Sequence, residues 1–312
     1  MADFNNGFWS VYIALVTIAA IIGCAVLLWV TSRAPGVPGS SGTAGRTTGH
    51  LWDEDLSELN TPLPRWWMWL FYITVVFGLA YLVLYPGLGS YRGVRGWSAL
   101  SQYEQELKVA DAQYGPLFQR YAALPIEKVA ADPQARAIGE RLFLNYCSQC
   151  HGSDARGARG FPNLTDGDWL YGGTPADIET TILNGRHGVM PALGAAVGSE
   201  QDVRNLAEYV LSLSGSPHDS LKAQLGKEKF AVCAACHGAD GKGNTVLGAP
   251  NLTDHVWLYG GGVNNIMSAI SAGHDNTMPA HKDLLGPSKV HVIAAYVWSL
   301  SNLGTPALAQ SR

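Results

Sequence analysis

Cys147-Ser148-Gln149-Cys150-His151 and Cys233-Ala234-Ala235-Cys236-His237 decide how this chain is read. Cys-x-x-Cys-His is the spacing of covalent c-type haem attachment. The two thiols add across the two vinyl groups of one haem, and the adjacent His comes to lie under the iron as its proximal ligand. Met190-Pro191-Ala192 follows the first motif and Met278-Pro279-Ala280 the second, 39 residues after His151 and 41 after His237. Only five methionines occur in the chain, and two of them hold these matched places. A thioether opposite imidazole stabilises ferrous iron. The expected cofactors are therefore two covalently bound haem c, held by Cys147, Cys150, Cys233 and Cys236. The expected axial ligands are His151, Met190, His237 and Met278. Spacing does not say whether each Met serves the iron of its own copy or that of the other. As an alternative, the two Met side chains are core fillers.

Competing readings of these residues are weaker. His187 and His274 precede the methionines at unequal offsets of 3 and 4, which argues against a shared ligand role and for surface or hydrogen-bonding histidines. A zinc site does not use Met. A thioredoxin-like pair needs a βαβ context that is missing here.

The motifs belong to a longer repeat. Asn163-Leu164-Thr165-Asp166 returns as Asn251-Leu252-Thr253-Asp254, and Trp169-Leu170-Tyr171 as Trp257-Leu258-Tyr259, both shifted by 88 residues. Each copy has the same order of parts. A helix leads into the motif (135–146; 221–232), and a Gly-rich loop and Pro-Asn-Leu follow. Then come a short helix (175–184; 263–272), Met-Pro in a loop, and a closing helix (199–214; 287–302). Trp169, Tyr171, Trp257 and Tyr259 either line the haem pockets, donate hydrogen bonds to the haem propionates, or pack the core. Pro162, Asn163, Pro250 and Asn251 fix the loop over the haem face. This arrangement resembles the class I cytochrome c fold over residues 135–214 and 221–303.

Composition places these copies behind a membrane anchor. Charged residues are 15 % of the chain and net charge is −4, so there is no nucleic-acid footprint. Residues 8–30 and 66–86 carry no charge. At 1.5 Å per residue either run crosses a bilayer of about 30 Å as a helix. Trp and Tyr at their ends fit interfacial belts. The first run lacks a basic segment before it and is too long for a signal peptide. The fifth cysteine, Cys24, lies in that run, so no disulfide framework is expected. Neither run contains His, so no haem b or copper centre fits inside them.

The expected fold is all-α: two transmembrane helices followed by two tandem class I cytochrome c domains. The expected boundaries are 1–34 for the first membrane helix, 35–65 for a cytoplasmic connector and 66–86 for the second membrane helix. A periplasmic helical linker covers 87–134 and is expected to break near Gly115-Pro116 and Leu124-Pro125. Cytochrome domains cover 135–216 and 217–305, and 306–312 form a tail. Within the connector, 34–50 read as flexible and Leu51–Asn60 as an acidic amphipathic stretch. Haem is attached outside the membrane, which places the haem domains in the periplasm of a bacterial inner membrane. Arg33, Arg46 and Arg65, against Arg92 and Arg95, support that orientation weakly.

The string from Trp52 to Trp67, with Asn60-Thr61-Pro62-Leu63-Pro64-Arg65-Trp66-Trp67 at its end, resembles the segment before the membrane helix in the dihaem subunit (subunit III) of cbb3-type cytochrome c oxidases. That resemblance implies a non-catalytic electron-transfer subunit of a proton-pumping oxidase. It further implies a soluble periplasmic cytochrome c as donor, a monohaem cytochrome c subunit, and a catalytic haem b/copper subunit that reduces dioxygen. Two alternatives are a dihaem carrier for a periplasmic dehydrogenase and a dihaem peroxidase, the latter requiring an open iron site.

Overall fold

The computed structural model describes residues 7–32, 47–59 and 64–303. Residues 33–34 of the expected first membrane segment, 35–46 and 60–63 of the expected connector, and the tail at 306–312 lie outside the described residues. The chain divides near residue 111 into two compact units.

In the first unit, helices α1 (Gly7–Ser32) and α2 (Arg65–Leu84) are both long and apolar enough to cross a membrane. Leu28 is the only residue of either that is buried within the protein. Ser90 N–H, just past α2, donates to Ser10 Oγ at 2.7 Å, and the two hydroxyls lie 2.9 Å apart. The start of α1 and the end of α2 therefore share one end of an antiparallel pair. Between them β1 (Thr47–Trp52) and β2 (Leu56–Leu59) form a hairpin that turns at Asp53 and Glu54, both at positive φ. The strand β1 replaces the end of the expected flexible stretch: Thr47, Leu51 and Trp52 find partners in Leu56–Leu59.

In chain order the remaining elements are α3 (Ala99–Ala122), α4 (Ile126–Ala131), α5 (Pro133–Tyr146), α6 (Ser148–His151), α7 (Pro175–Asn184), β3 (Arg186–Met190), α8 (Gly194–Val197), α9 (Glu200–Leu213), α10 (Ser220–Gly226), α11 (Ala231–His237), α12 (Val263–Ala272), β4 (His274–Met278), α13 (Lys282–Leu285) and α14 (Pro287–Asn302). The expected break at Gly115-Pro116 is absent, since α3 runs through Pro116. Pro116 is exposed, so water can take up the carbonyl that loses its donor. The next turn is held by Leu117, Phe118 and Tyr121 against the core. The break at Leu124-Pro125 is present. The helix expected over 221–232 is interrupted by a 3-10 turn at Lys227–Phe230.

Helix starts follow local chemistry. Asp132 accepts from Gln134 and Ala135 N–H ahead of α5, while Thr174 with Asp177 and Ser199 with Asp202 form capping boxes on α7 and α9.

The repeats are consecutive in sequence but interlaced in space. The closing helix of the second copy, α14, packs on α4, α5 and α7 of the first. The closing helix of the first, α9, packs on α10 and α12 of the second. Accordingly one core joins Phe143, Ile178 and Ile182 to Val290, Ile293, Tyr296 and Leu300. The other joins Val203, Leu206 and Val210 to Phe230, Cys233, Ile266 and Ile270. Each fully buried aliphatic side chain contributes about 1.5–3 kcal/mol relative to exposure, so α14 is the main fastening of the first core. Aromatic partners are exchanged as well: Phe143 meets Tyr296 with centroids 5.6 Å apart, and Phe230 meets Tyr209 at 5.4 Å. The exchange passes through β3 and β4, which pair antiparallel from Arg186↔Met278 to Met190↔His274. Among the described residues, strand is confined to these two ribbons.

Candidate functional site

Each Cys-x-x-Cys-His motif occupies a short helical turn that ends at a glycine of positive φ, Gly152 or Gly238. The turn puts both sulfurs and the imidazole on one side of the chain. None of the four motif cysteines is in a disulfide; Cys233 is buried, Cys147 half-buried, and Cys150 and Cys236 are exposed. Burial, and then the neighbouring Cys150, push the Cys147 thiol up to about 11. Cys233 is raised for the same reasons, with Cys236 as its neighbour.

The two histidines are buried and held in one orientation. His151 Nδ1 lies 3.0 Å from Pro162 O, and His237 Nδ1 lies 3.0 Å from Pro250 O. A carbonyl only accepts, so Nδ1 carries the proton and Nε2 is left with its lone pair for a metal. Burial lowers the His151 pKa below the usual imidazole range; the Pro162 carbonyl opposes this shift and His281 adds to it. The neutral, ligating form is favoured. The sequence reading assigned Pro162 and Pro250 only to shaping the loop. Their carbonyls orient the ligands, and the available signal was their recurrence 11 and 13 residues after the two histidines.

The two Met-Pro segments were expected in loops. Instead Met190 and Met278 end β3 and β4, and each strand carries its Met over to the opposite copy. Met278 packs against the core that contains Phe143 and holds Cys147, Leu164 and Trp169 at its edge. Beyond it, His281 N–H donates to Ile182 O of α7 at 3.0 Å. Gly185, after α7, lies so close to the Met278-Pro279-Ala280 backbone that an added Cβ would meet Pro279 and Ala280 at under 3 Å. Met190 leads in the same way to Leu193, whose N–H donates to Ile270 O of α12 at 2.8 Å. Gly273, after α12, abuts the Met190–Ala192 backbone. The structure thus brings Met278 to the core that has Cys147 at its edge, and the Met190–Leu193 segment to α12 of the core that contains Cys233.

The Trp and Tyr pairs divide their roles. Trp169 and Trp257 pack on the two cores. Tyr171 lies under the Arg186 guanidinium, 4.8 Å from its ring, and Tyr259 stacks on His274 at 3.6 Å. His187, on the outer side of the ribbon, pairs with Asp275 at 2.7 Å. Neither His187 nor His274 is placed as a shared ligand.

Two thiols one helical turn apart, an imidazole with its outer nitrogen locked, and a thioether brought over by the ribbon form the donor set of a c-type haem. The residues fit the group that the motif implies.

Comparison with known proteins supplies the assembly. The sequence profile of the N-terminal domain of cytochrome oxidase-cbb3, FixP, matches residues 44–92. That of cytochrome c oxidase, cbb3-type, subunit III matches residues 134–210 and 223–297. The chain is 53 % identical over 307 residues to the cbb3-type cytochrome c oxidase subunit CcoP of Rubrivivax gelatinosus, covering 98 % of this chain and 99 % of the relative. The chain belongs to the CcoP/FixP family of cbb3-type cytochrome c oxidase subunits. FixP of Azorhizobium caulinodans is 41 % identical over 282 residues, covering 85 % of this chain and 95 % of the relative. CcoP of Rhodobacter capsulatus is 38 % identical over 286 residues, covering 82 % and 95 %. As a CcoP/FixP subunit, the chain is a haem c-binding electron-transfer component of the respiratory chain. It is anchored in the inner membrane by its two N-terminal apolar helices and works within the oxidase complex.

Proposed function

We propose that this chain carries two haem c groups with exchanged distal ligands. The haem bonded to Cys147 and Cys150 takes His151 and Met278; the haem bonded to Cys233 and Cys236 takes His237 and Met190. The observation that supports this reading is the β3–β4 ribbon, whose crossing leaves Met278 packed against the first core and the Met190–Leu193 backbone against α12 of the second copy. The domains at 135–216 and 217–305 are thus consecutive sequence repeats that complete one another. Haem c supplies a one-electron couple, and the chain supplies its setting. Pro162 and Pro250 hold the imidazoles, the thioether favours the ferrous form, and a filled coordination sphere leaves dioxygen no site. The haem domains face the periplasm, with the antiparallel α1–α2 pair returning the chain to the side from which it began. The subunit accepts electrons from a soluble periplasmic cytochrome c. It passes them through a monohaem cytochrome c subunit to the haem b/copper subunit, where oxygen reduction drives proton pumping.

The test uses the complex purified in mild detergent. Pyridine haemochrome analysis should give two covalent haems for this chain, with haem b and copper co-purifying. In the Cys233→Ala/Cys236→Ala chain, Met278→Ala should abolish the far-red sulfur-to-iron band of the remaining haem, and Met190→Ala should leave it. The reverse outcome would restore each Met to its own copy.

A further inference from the structure

The inner face of the β3–β4 ribbon carries polar groups that the haem ligand sets leave unused. Residues alternate across a strand, so Arg186, Gly188 and Met190 share a face with Met278, Asn276 and His274. Arg186 stands opposite Met278 at one end of the ladder, and His274 opposite Met190 at the other. Positions 186 and 274 correspond under the 88-residue repeat shift, and each caps the tyrosine of its own copy.

Both side chains are fixed but incompletely satisfied. Arg186 Nε donates to Thr181 Oγ1 at 2.9 Å, and its terminal nitrogens have no hydrogen-bond partner among the described residues. His274 is stacked flat on Tyr259, with 7° between the rings, and its Nε2 is buried without a partner among the described residues. A buried ring nitrogen left unpaired costs free energy unless something absent from the protein chain completes it. Resting on the proposed haem sites, the completing group is at hand. Every haem brings two carboxylates, and a guanidinium fork or an imidazole N–H is a suitable donor to either.

We propose that Arg186 and His274 are the seats of haem carboxylates, one in each cleft, and that arginine at one and histidine at the other separates the two midpoint potentials. Arg186 serves the haem of His151 and Met278. His274 serves the haem of His237 and Met190. A permanent positive charge beside a haem favours the ferrous state, which carries one positive charge less than the ferric. The haem beside Arg186 is therefore the higher in potential. Both residues are positioning residues acting on the cofactor from the ribbon that also bears its distal ligands.

Spectroelectrochemical titration of the two haems in the purified complex tests this. At the parent midpoint, Arg186→Gln should shift one haem about tenfold towards the oxidised form, equivalent to about 59 mV for a one-electron couple. Arg186→Lys should shift it less than threefold. His274→Arg should move the other haem about tenfold towards the reduced form. If Arg186→Gln loses haem, His274→Arg alone decides. Fewer than two haems in the parent would overturn the underlying haem reading. Two haems with shifts under threefold in both variants, or with Arg186→Gln moving towards the reduced form or His274→Arg towards the oxidised form, would overturn the carboxylate seats and leave the ligands standing.

Discussion

The interlaced packing can be measured through Phe143. This side chain is fully buried, and its ring meets Tyr296 of the second copy, 5.6 Å away at 52°. Were each copy closed on itself, the partner would be Tyr209, the residue equivalent to Tyr296. Phe143→Leu and Tyr296→Leu are swaps of similar volume, each expected to cost about 1–1.5 kcal/mol. An aromatic pair at this separation adds about 0.5–1.5 kcal/mol beyond burial. In a double-mutant cycle Phe143 and Tyr296 should therefore couple by about 0.5–1.5 kcal/mol. Phe143 and Tyr209 lie in separate cores and should be additive to within about 0.5 kcal/mol. The assay is denaturant unfolding of the full chain in mild detergent, followed by haem absorption at matched m-values. Coupling to Tyr209 with none to Tyr296 would refute the exchange of closing helices. It would also remove the structural basis for exchanged methionines.

Three further outcomes follow from local geometry. At Gly139, where α5 crosses α14, an added Cβ would sit 2.6 Å from Tyr296 Cβ and 2.9 Å from Val292 O. Gly139→Ala should therefore lower stability by about 1–2 kcal/mol despite the gain of about 1 kcal/mol in helix propensity, read as a lower melting temperature. Ser199→Ala removes the α9 capping box and should cost about 1 kcal/mol. The Asp202 carboxyl in that box is held below its usual range by Ser199 and then Lys229. Its stabilisation is present above about pH 4 and lost as pH falls through the depressed value, so the Ser199→Ala deficit should shrink in acid melts. Pro116→Ala, on the exposed face of α3, should slow amide exchange within Ala99–Ala122, since proline costs a helix interior about 3 kcal/mol.

Much of this was legible in the sequence because it depends on short-range chemistry. Cys-x-x-Cys-His fixes the attachment turn, and α7, α12 and α14 begin and end where capping residues, proline and periodicity place them. The partnership of the helices was not legible. Periodicity marks the face a helix buries and says nothing about which copy buries it. With α9 and α14 carrying near-equivalent faces, both arrangements satisfy the same pattern. The choice lies in the hinges at 185–190 and 273–278. Residues such as Arg186-His187-Gly188 read as loop because their strand partners, Met278, Thr277 and Asn276, lie about ninety residues away in the other copy. Pro116 misled for the opposite reason: a proline signals a break, but tertiary packing one turn later holds the helix together.

The lid over the first core is α14, the last helix among the described residues, and this governs the order of events during synthesis. The first copy cannot close while the polypeptide is still being made. It must wait until residues 287–302 have been made. On the proposed haem sites, loading at Cys147 and Cys150 would have a window as long as translation of the whole second copy. A nonsense truncation just before α14 would open the first core while leaving the second, closed by α9, with all its helices.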